Sequence, residues 1–385
     1  MRAALERFLL RVWFGNGPIE QLVAGLLSPL AWIVRKASAA RREKIRSLPP
    51  PQPPVLVVGN LIAGGAGKTP LVIALAQALR QRGLRPGIVC RGYRAHRNDA
   101  RIVPATGSAA EHGDEALLLA RSVNCPVAAG ANRAHAMAAL LRARPDIDVV
   151  IADDGLQHPH LPRTLEVAVF DRRGAGNGRL LPAGPLREPI EHLAQMDAVL
   201  LNDGAHAPEG AGRCFRFSVA PVGFTRLAKP GAGEGAADHD APTKAATAAS
   251  SQPTEPSARA MSGLPSGSQA RPSVSPGFGL TEFAASMTGK TVAAVAGIGH
   301  PERFFDMLQV LGIHPVRTVA LGDHAPLDVQ ALRAIEADVI VMTGKDAVKC
   351  AHVADSRCWV LEVAADLDPA FIDWLIEALR GSSTA

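Results

Sequence analysis

The sequence predicts an α/β protein. A parallel sheet with helices on both faces is followed by a second, smaller α/β unit and preceded by a helical segment suited to a membrane surface. Three observations predict it. From residue 54 onward short apolar runs alternate with helical stretches, the pattern of strands buried in a helix-covered sheet. The first of these runs, Val55–Gly59, passes straight into a glycine-rich loop and a helix. Ahead of it, Gln21–Val34 is uncharged and largely apolar, and Arg35 and Lys36 follow at once.

Residues 1–48 come first in the chain. They hold nine Lys/Arg against three acids, so the rest of a 385-residue chain of net charge +5 is close to neutral. A basic surplus gathered in one terminal segment argues against nucleic-acid binding, which spreads positive charge over a folded face. A spanning helix needs about 20 apolar residues, and the run here is shorter and contains Pro29. A cleaved signal peptide ends in small residues, not in a basic flank. An interfacial helix fits better. Leu22, Leu26, Leu27, Leu30, Trp32 and Ile33 would enter the headgroup boundary, and Arg35 through Arg46 would meet anionic lipid. Packing of the same helix on the protein's own core stays open, because amphipathicity does not tell lipid from core. A stiff proline-rich spacer, Ser47–Pro54, leads to the first strand.

The first unit spans residues 54–204. Strands are expected at Val55–Gly59, Gly87–Cys90, Val127–Ala129, Val149–Ala152, Leu165–Asp171 and Ala198–Asn202, and helices at Lys68–Arg82, Asp114–Val123 and Asn132–Arg144. Residues 205–228 read as a connection. Residues 229–277 are rich in Ala, Gly, Ser, Pro and Thr, and too poor in large apolar side chains to offset their ordering entropy, so a disordered insertion is expected. The second unit, 278–385, has strands expected at Thr291–Gly297, Val316–Ala320, Asp338–Thr343 and Trp359–Val363, with helices at Pro301–Leu311, Pro326–Ala337 and Pro369–Leu379. Five scattered cysteines with no CxxC spacing read as reduced thiols, not as a disulfide framework or a zinc site.

Chemistry concentrates in PVLVVGNLIAGGAGKTP, Pro54–Pro70. A strand, a loop containing Gly64, Gly65, Ala66 and Gly67, and a helix opened by Lys68 and Thr69 make a P-loop. Its backbone N–H groups and helix N-terminus favour phosphate, Lys68 reaches the β/γ-phosphates, and the Thr69 hydroxyl ligates Mg²⁺. The strict GxxxxGK[ST] pattern has Gly where this chain has Ile62. Downstream, DIDVVIADDGLQHPH ends a buried strand in Asp153 and Asp154, at the sheet edge where a Walker-B acid holds Mg²⁺. ATP and Mg²⁺ are therefore the expected cofactors. Other candidates are weaker by spacing. Asp114 could be a helix-terminal acid, His324 a structural histidine, and the arginines of CRGYR (Cys90–Arg94) could reach phosphate or solvent. On these residues alone, a nucleotide-switch or metallochaperone-type protein and a soluble small-molecule kinase stand beside a kinase acting at a membrane.

Seven phrases in order, VGNLIAGGAGKTP, CRGYR, GDEALLLA, ADDGLQH, LPAGPLREP, AGIGHPERFF and MTGKDAVKC, make the chain resemble the tetraacyldisaccharide 4′-kinase (lipid A 4′-kinase) family. The resemblance covers the chain apart from the insertion and the extreme termini. It implies two α/β domains around a cleft and transfer of the ATP γ-phosphate to the 4′-hydroxyl of a tetraacylated glucosamine disaccharide 1-phosphate. It also implies a monotopic protein on the cytoplasmic face of the bacterial inner membrane. Carried over, the phosphate loop falls on Gly64–Thr69, the Mg²⁺ carboxylates on Asp153 and Asp154, and an Asp–His pair that activates the sugar hydroxyl on Asp114 and His324. The chain departs from the family pattern at Ala325, where a second His is common, and at Gly344, where Glu is common.

Overall fold

Val55–Gly59 alternates its side chains between two apolar layers: Leu56 and Val58 enter one, Val55 and Val57 the other. Burial on both faces is what a central strand of a helix-covered sheet requires. The computed structural model describes residues 2–92, 99–227, 277–322, 327, 329–351, 353 and 355–382.

In chain order the elements open with helices α1 (Arg2–Phe14) and α2 (Pro18–Arg46), then β1 (Val55–Gly59), α3 (Lys68–Gln81), β2 (Pro86–Cys90) and β3 (Arg101–Ile102). Next come α4 (Ala109–His112), α5 (Asp114–Ser122), β4 (Val127–Ala129), α6 (Arg133–Ala143), β5 (Val149–Asp153), β6 (Leu165–Phe170), β7 (Ala198–Asn202) and β8 (Cys214–Arg226). The chain continues through α7 (Leu280–Ser286), β9 (Val292–Ala296), α8 (Pro301–Val310), β10 (Arg317–Ala320) and α9 (Val329–Arg333). It ends with β11 (Val339–Thr343), α10 (Gly344–Cys350), β12 (Cys358–Leu367) and α11 (Pro369–Ser382).

Among the described residues twelve strands join one sheet in the order β10-β9-β11-β12-β8-β7-β6-β1-β5-β2-β4-β3. Its two parallel sets are tied by an antiparallel ribbon, in which β12 runs against β8 from Trp359 opposite Arg226 to Leu367 opposite Phe217. The 205–228 connection thus contains a long strand. Its apolar pattern was illegible in sequence because most of β8 is half-buried or exposed and Pro221 and Gly223 interrupt it. On the β1 side, one layer carries α3, α5 and α11 and the other carries α6. The 229–277 insertion lies outside the described residues apart from Gly277.

Helix α2 is longer than the apolar run that announced it, and continues through Pro29. Only Ala24, Ser38 and Arg42 are buried. Side-chain bonds fasten it along the body: Arg179 Nη1 donates to Ser28 Oγ at 2.6 Å, Arg35 to Glu191 Oε1 at 3.4 Å and Arg46 to Gln195 Oε1 at 2.9 Å. Ile19, Leu22, Leu26, Leu30, Trp32 and Ile33 remain exposed.

Candidate functional site

The loop after β1 is held by side chains that take its carbonyls one by one. Asn60, fully buried, donates through Nδ2 to Gly64 O at 2.8 Å; Arg173 Nη2 donates to Gly65 O at 2.9 Å; Asn202 Nδ2 donates to Ala66 O at 3.1 Å. A trans peptide points its N–H opposite its C=O. The N–H groups of Gly65, Ala66 and Gly67 are therefore turned away from those anchors. Gly64 and Gly67 adopt φ of +99° and +82°, which a side chain would strain. The departure at Ile62 has a structural reason. Ile62 is fully buried in the second core layer and bridges Leu186, while Ala63 N donates to Pro185 O at 2.8 Å. That end of the loop is anchored by packing where the common pattern relies on glycine.

Lys68 opens α3 and lies back across the loop. Its Nζ donates to Asn60 Oδ1 at 2.8 Å and stands 3.4 Å from Asp154 Oδ1. Asp154 follows β5 at φ +51°, and its carboxylate also receives Arg187 Nη1 at 3.1–3.2 Å. Burial opposes its charge, but Lys68 and Arg187 outweigh it and hold the carboxyl well below the usual range. Asp153, the last residue of β5, behaves oppositely. Burial, reinforced by the Glu115 carboxylate, pushes it up to about 7. Its Oδ1 is buried and makes no hydrogen bond. A buried carboxylate oxygen without a donor suits a cation. Among the described residues no three His, Cys, Asp or Glu side chains gather into a metal site by themselves. An ion here would draw its other oxygen ligands from Thr69, phosphate and water, as Mg²⁺ does.

Gly64, Gly65, Ala66, Gly67, Lys68, Thr69, Asp153 and Asp154 all line one cavity of about 1370 Å³. Its opposite wall comes from the other parallel set: Gly299, His300 and Arg303 at the start of α8, and Gly344 and Lys345 at the start of α10. The two walls touch where Arg173 Nη1 meets His300 Nε2 at 3.1 Å.

The two remaining predicted residues are placed differently. Asp114 is the first residue of α5, is 6% exposed, and stands 3.8 Å from Lys349 Nζ behind the cavity wall; its neighbour Glu115 lines the wall and pairs with Lys345 at 2.9 Å. His324 lies outside the described residues, as do Tyr93 and Arg94; Gly322, two positions before His324, lines the cavity. His300 lines the cavity with the two acids, while His158 lies outside its lining and accepts the Arg133 N–H through Nε2 at 3.2 Å. Burial, with Arg133 beside it, lowers its pKa to about 4.

Asn60, Arg173, Arg187, Asn202 and Lys345 escaped sequence reasoning as site residues. Asn60 sits in VGNLIAGGAGKTP, Arg187 in LPAGPLREP and Lys345 in MTGKDAVKC, so these were within reach of the phrases; Asn202, at the end of a strand outside every phrase, was not.

Comparison with known proteins agrees with this architecture. A family model described as tetraacyldisaccharide-1-P 4'-kinase (LpxK) matches residues 23–380. A tetraacyldisaccharide 4'-kinase of Dechloromonas aromatica is 41% identical over 387 residues, covering 99% of this chain and 100% of that protein. One from Bordetella parapertussis is 39% identical over 386 residues, covering 98% and 97%. Among solved structures, the "apo" form of LpxK from Aquifex aeolicus in complex with ATP shares the fold, with a TM-score of 0.69 at 22% identity over 93% of this chain and 99% of that one.

Proposed function

This chain belongs to the tetraacyldisaccharide-1-P 4'-kinase family, and we propose that it transfers the γ-phosphate of ATP to the 4′-hydroxyl of a tetraacylated glucosamine disaccharide 1-phosphate, a step of lipid A biosynthesis. The observation that carries the reading is the loop itself. Three carbonyls are held back by side chains, and Lys68 is stretched between Asn60 and Asp154 at the floor of a large cleft.

Phosphoryl transfer asks for alignment and charge stabilisation more than for covalent participation. The loop amides and Lys68 hold the β- and γ-phosphates. Asp153, Asp154 and the Thr69 hydroxyl would hold Mg²⁺, which would supply charge neutralisation for the transferring phosphate. Arg187 keeps Asp154 ionised and oriented. His324, oriented by Asp114, accepts the proton of the sugar hydroxyl, and the approach of Gly322 to the cavity supports that role. Residues 54–204 and 278–385 act as two units whose facing walls close on the nucleotide.

The acceptor carries acyl chains and stays in the bilayer, so the enzyme works at the cytoplasmic face of the inner membrane. Helix α2 lies along the body, with its exposed Leu22, Leu26, Leu30, Trp32 and Ile33 directed outward. That supports a monotopic, interfacial seat over a spanning one.

Purified protein is assayed with labelled ATP and the lipid disaccharide 1-phosphate. Mg²⁺-dependent label in the lipid is expected, and its absence would sink the reading. Lys68→Ala, Asp114→Ala and His324→Ala should each lower turnover by at least about 100-fold while the protein stays folded. A His324→Ala rate near wild type would move the base elsewhere.

A further inference from the structure

Arg42 is an arginine near the end of α2 that is 5% exposed, on a helix that otherwise buries only Ala24 and Ser38. Its guanidinium is used on two sides. Nε donates to Glu188 Oε2 at 2.9 Å, and Nη1 donates to both oxygens of Glu166, at 2.6 and 2.9 Å. Glu166 has a second cation, Arg163 at 2.5 Å, whereas the ion-pair partner of Glu188 besides Arg42, among the described residues, is the imidazole of His192 at 3.0 Å. Glu188 is 2% exposed and is the sequence neighbour of Arg187.

From Glu188 the contacts run into the site. Gln157 Nε2 donates to Glu188 Oε1 at 2.9 Å and to the carbonyl of Asn60 at 3.3 Å, while its Oε1 accepts from Arg187 Nη1 at 3.4 Å. Arg187 in turn holds Asp154, and Asn60 holds Lys68. We propose that Arg42 is a positioning residue: through Glu188 and Gln157 it keeps Arg187 on Asp154 and Asn60 under Lys68, which builds the N-terminal helix into the catalytic arrangement. This rests on the nucleotide site proposed above. The reason is electrostatic. A buried carboxylate deprived of its cation takes the nearest one available. For Glu188 that is the His192 imidazole or Arg163, which already holds Glu166; a carboxylate turned toward either withdraws Oε1 from Gln157 and with it the hold on Arg187 and Asn60.

The test uses the full-length protein and three readouts: melting temperature, ATP affinity by calorimetry without acceptor, and kcat with KM for ATP. Arg42→Met removes the cation and keeps the stem; Arg42→Lys keeps a cation for Glu188 and gives up the forked pairing. We expect Arg42→Lys to melt lower yet bind ATP and turn over within about twofold of wild type, and Arg42→Met to lose about tenfold in both affinity and kcat at temperatures where it is folded. Gln157→Ala cuts the same link without leaving a buried charge, so it should reproduce the affinity loss with little change in melting. Should Arg42→Met not fold, that variant decides alone. Wild-type ATP affinity and kcat in Gln157→Ala, or in folded Arg42→Met, would overturn the inference. A wild-type protein inactive on the lipid would overturn the proposed function instead, and the affinity comparison would still stand.

Discussion

Gly67 and Gly65 stand two residues apart in the phosphate loop, and the structure gives them opposite sensitivities. At Gly67, φ is +82° and an added Cβ would lie 2.6 Å from Asn202 Nδ2. Left-handed backbone costs an L-residue about 1–2 kcal/mol. Moving the Asn202 amide off Ala66 O forfeits a neutral hydrogen bond of about 1 kcal/mol. Gly67→Ala should therefore destabilise the nucleotide-free protein by about 2–3 kcal/mol, which for a chain of this size is a melting shift of about 3–4 °C. At Gly65 a Cβ would meet nothing within 4 Å, and the residue lines the cavity. Gly65→Ala should melt like wild type and lose ATP affinity by about tenfold, because the methyl group occupies phosphate space. The assay is thermal melting by circular dichroism without nucleotide, followed by ATP titration. A double cycle with Asn202→Ala isolates the amide displacement, which should appear as a coupling of about 1 kcal/mol. Equal destabilisation by the two alanines, or an unchanged melt for Gly67→Ala, would refute the account of why the loop needs glycine where it does.

Two further outcomes follow from the charges and the surface. Asp153 titrates at about 7 when folded, well above its ordinary value. The folded state therefore holds a proton that the unfolded chain has released, and stability present at low pH is lost as pH rises through about 7. In EDTA and without nucleotide, wild-type melting should fall between about pH 5 and pH 8 relative to Asp153→Asn; parallel curves would contradict the burial of an unpaired carboxyl. Replacing exposed Leu22, Leu26, Leu30 and Trp32 together by Gln should leave melting within about 2 °C of wild type but reduce flotation with anionic vesicles by at least about 100-fold, since each apolar side chain contributes roughly 1 kcal/mol at the interface. Undiminished flotation would remove α2 from membrane contact.

Much of the sheet was legible because its strands are buried on both faces. Val55–Gly59, Val127–Ala129 and Ala198–Asn202 occupy the residues that their apolar runs announced. Strand β8 was not legible, because half of its pattern faces solvent and its partner β12 is more than a hundred residues away. The site divided along a similar line. Residues whose role is written into one continuous phrase, Lys68, Thr69, Asp153 and Asp154, meet in the cavity. Residues that act by reaching across the fold, such as Asn202 on Ala66 and Arg173 on Gly65, carry no local signature. Their side chains matter only for where the sheet order puts them.

The N-terminal helix shows why the choice between lipid and core could not be made from amphipathicity. Helix α2 has a face for each: Ala24, Ser38 and Arg42 face the body, and Ile19, Leu22, Leu26, Leu30, Trp32 and Ile33 are exposed. The two roles are inseparable by truncation. Removing residues 1–48 removes the apolar stripe, but it also removes Arg42 and leaves Glu188 buried beside the site without the guanidinium that pairs with it. A truncated protein that is inactive would then report a broken charge network as readily as a lost membrane contact. Point substitutions in the exposed stripe leave Arg42 in place, and substitutions at Arg42 leave the stripe in place. If the stripe variant loses vesicle binding but keeps its ATP affinity while Arg42→Met does the reverse, one helix is serving lipid on one face and the nucleotide site on the other.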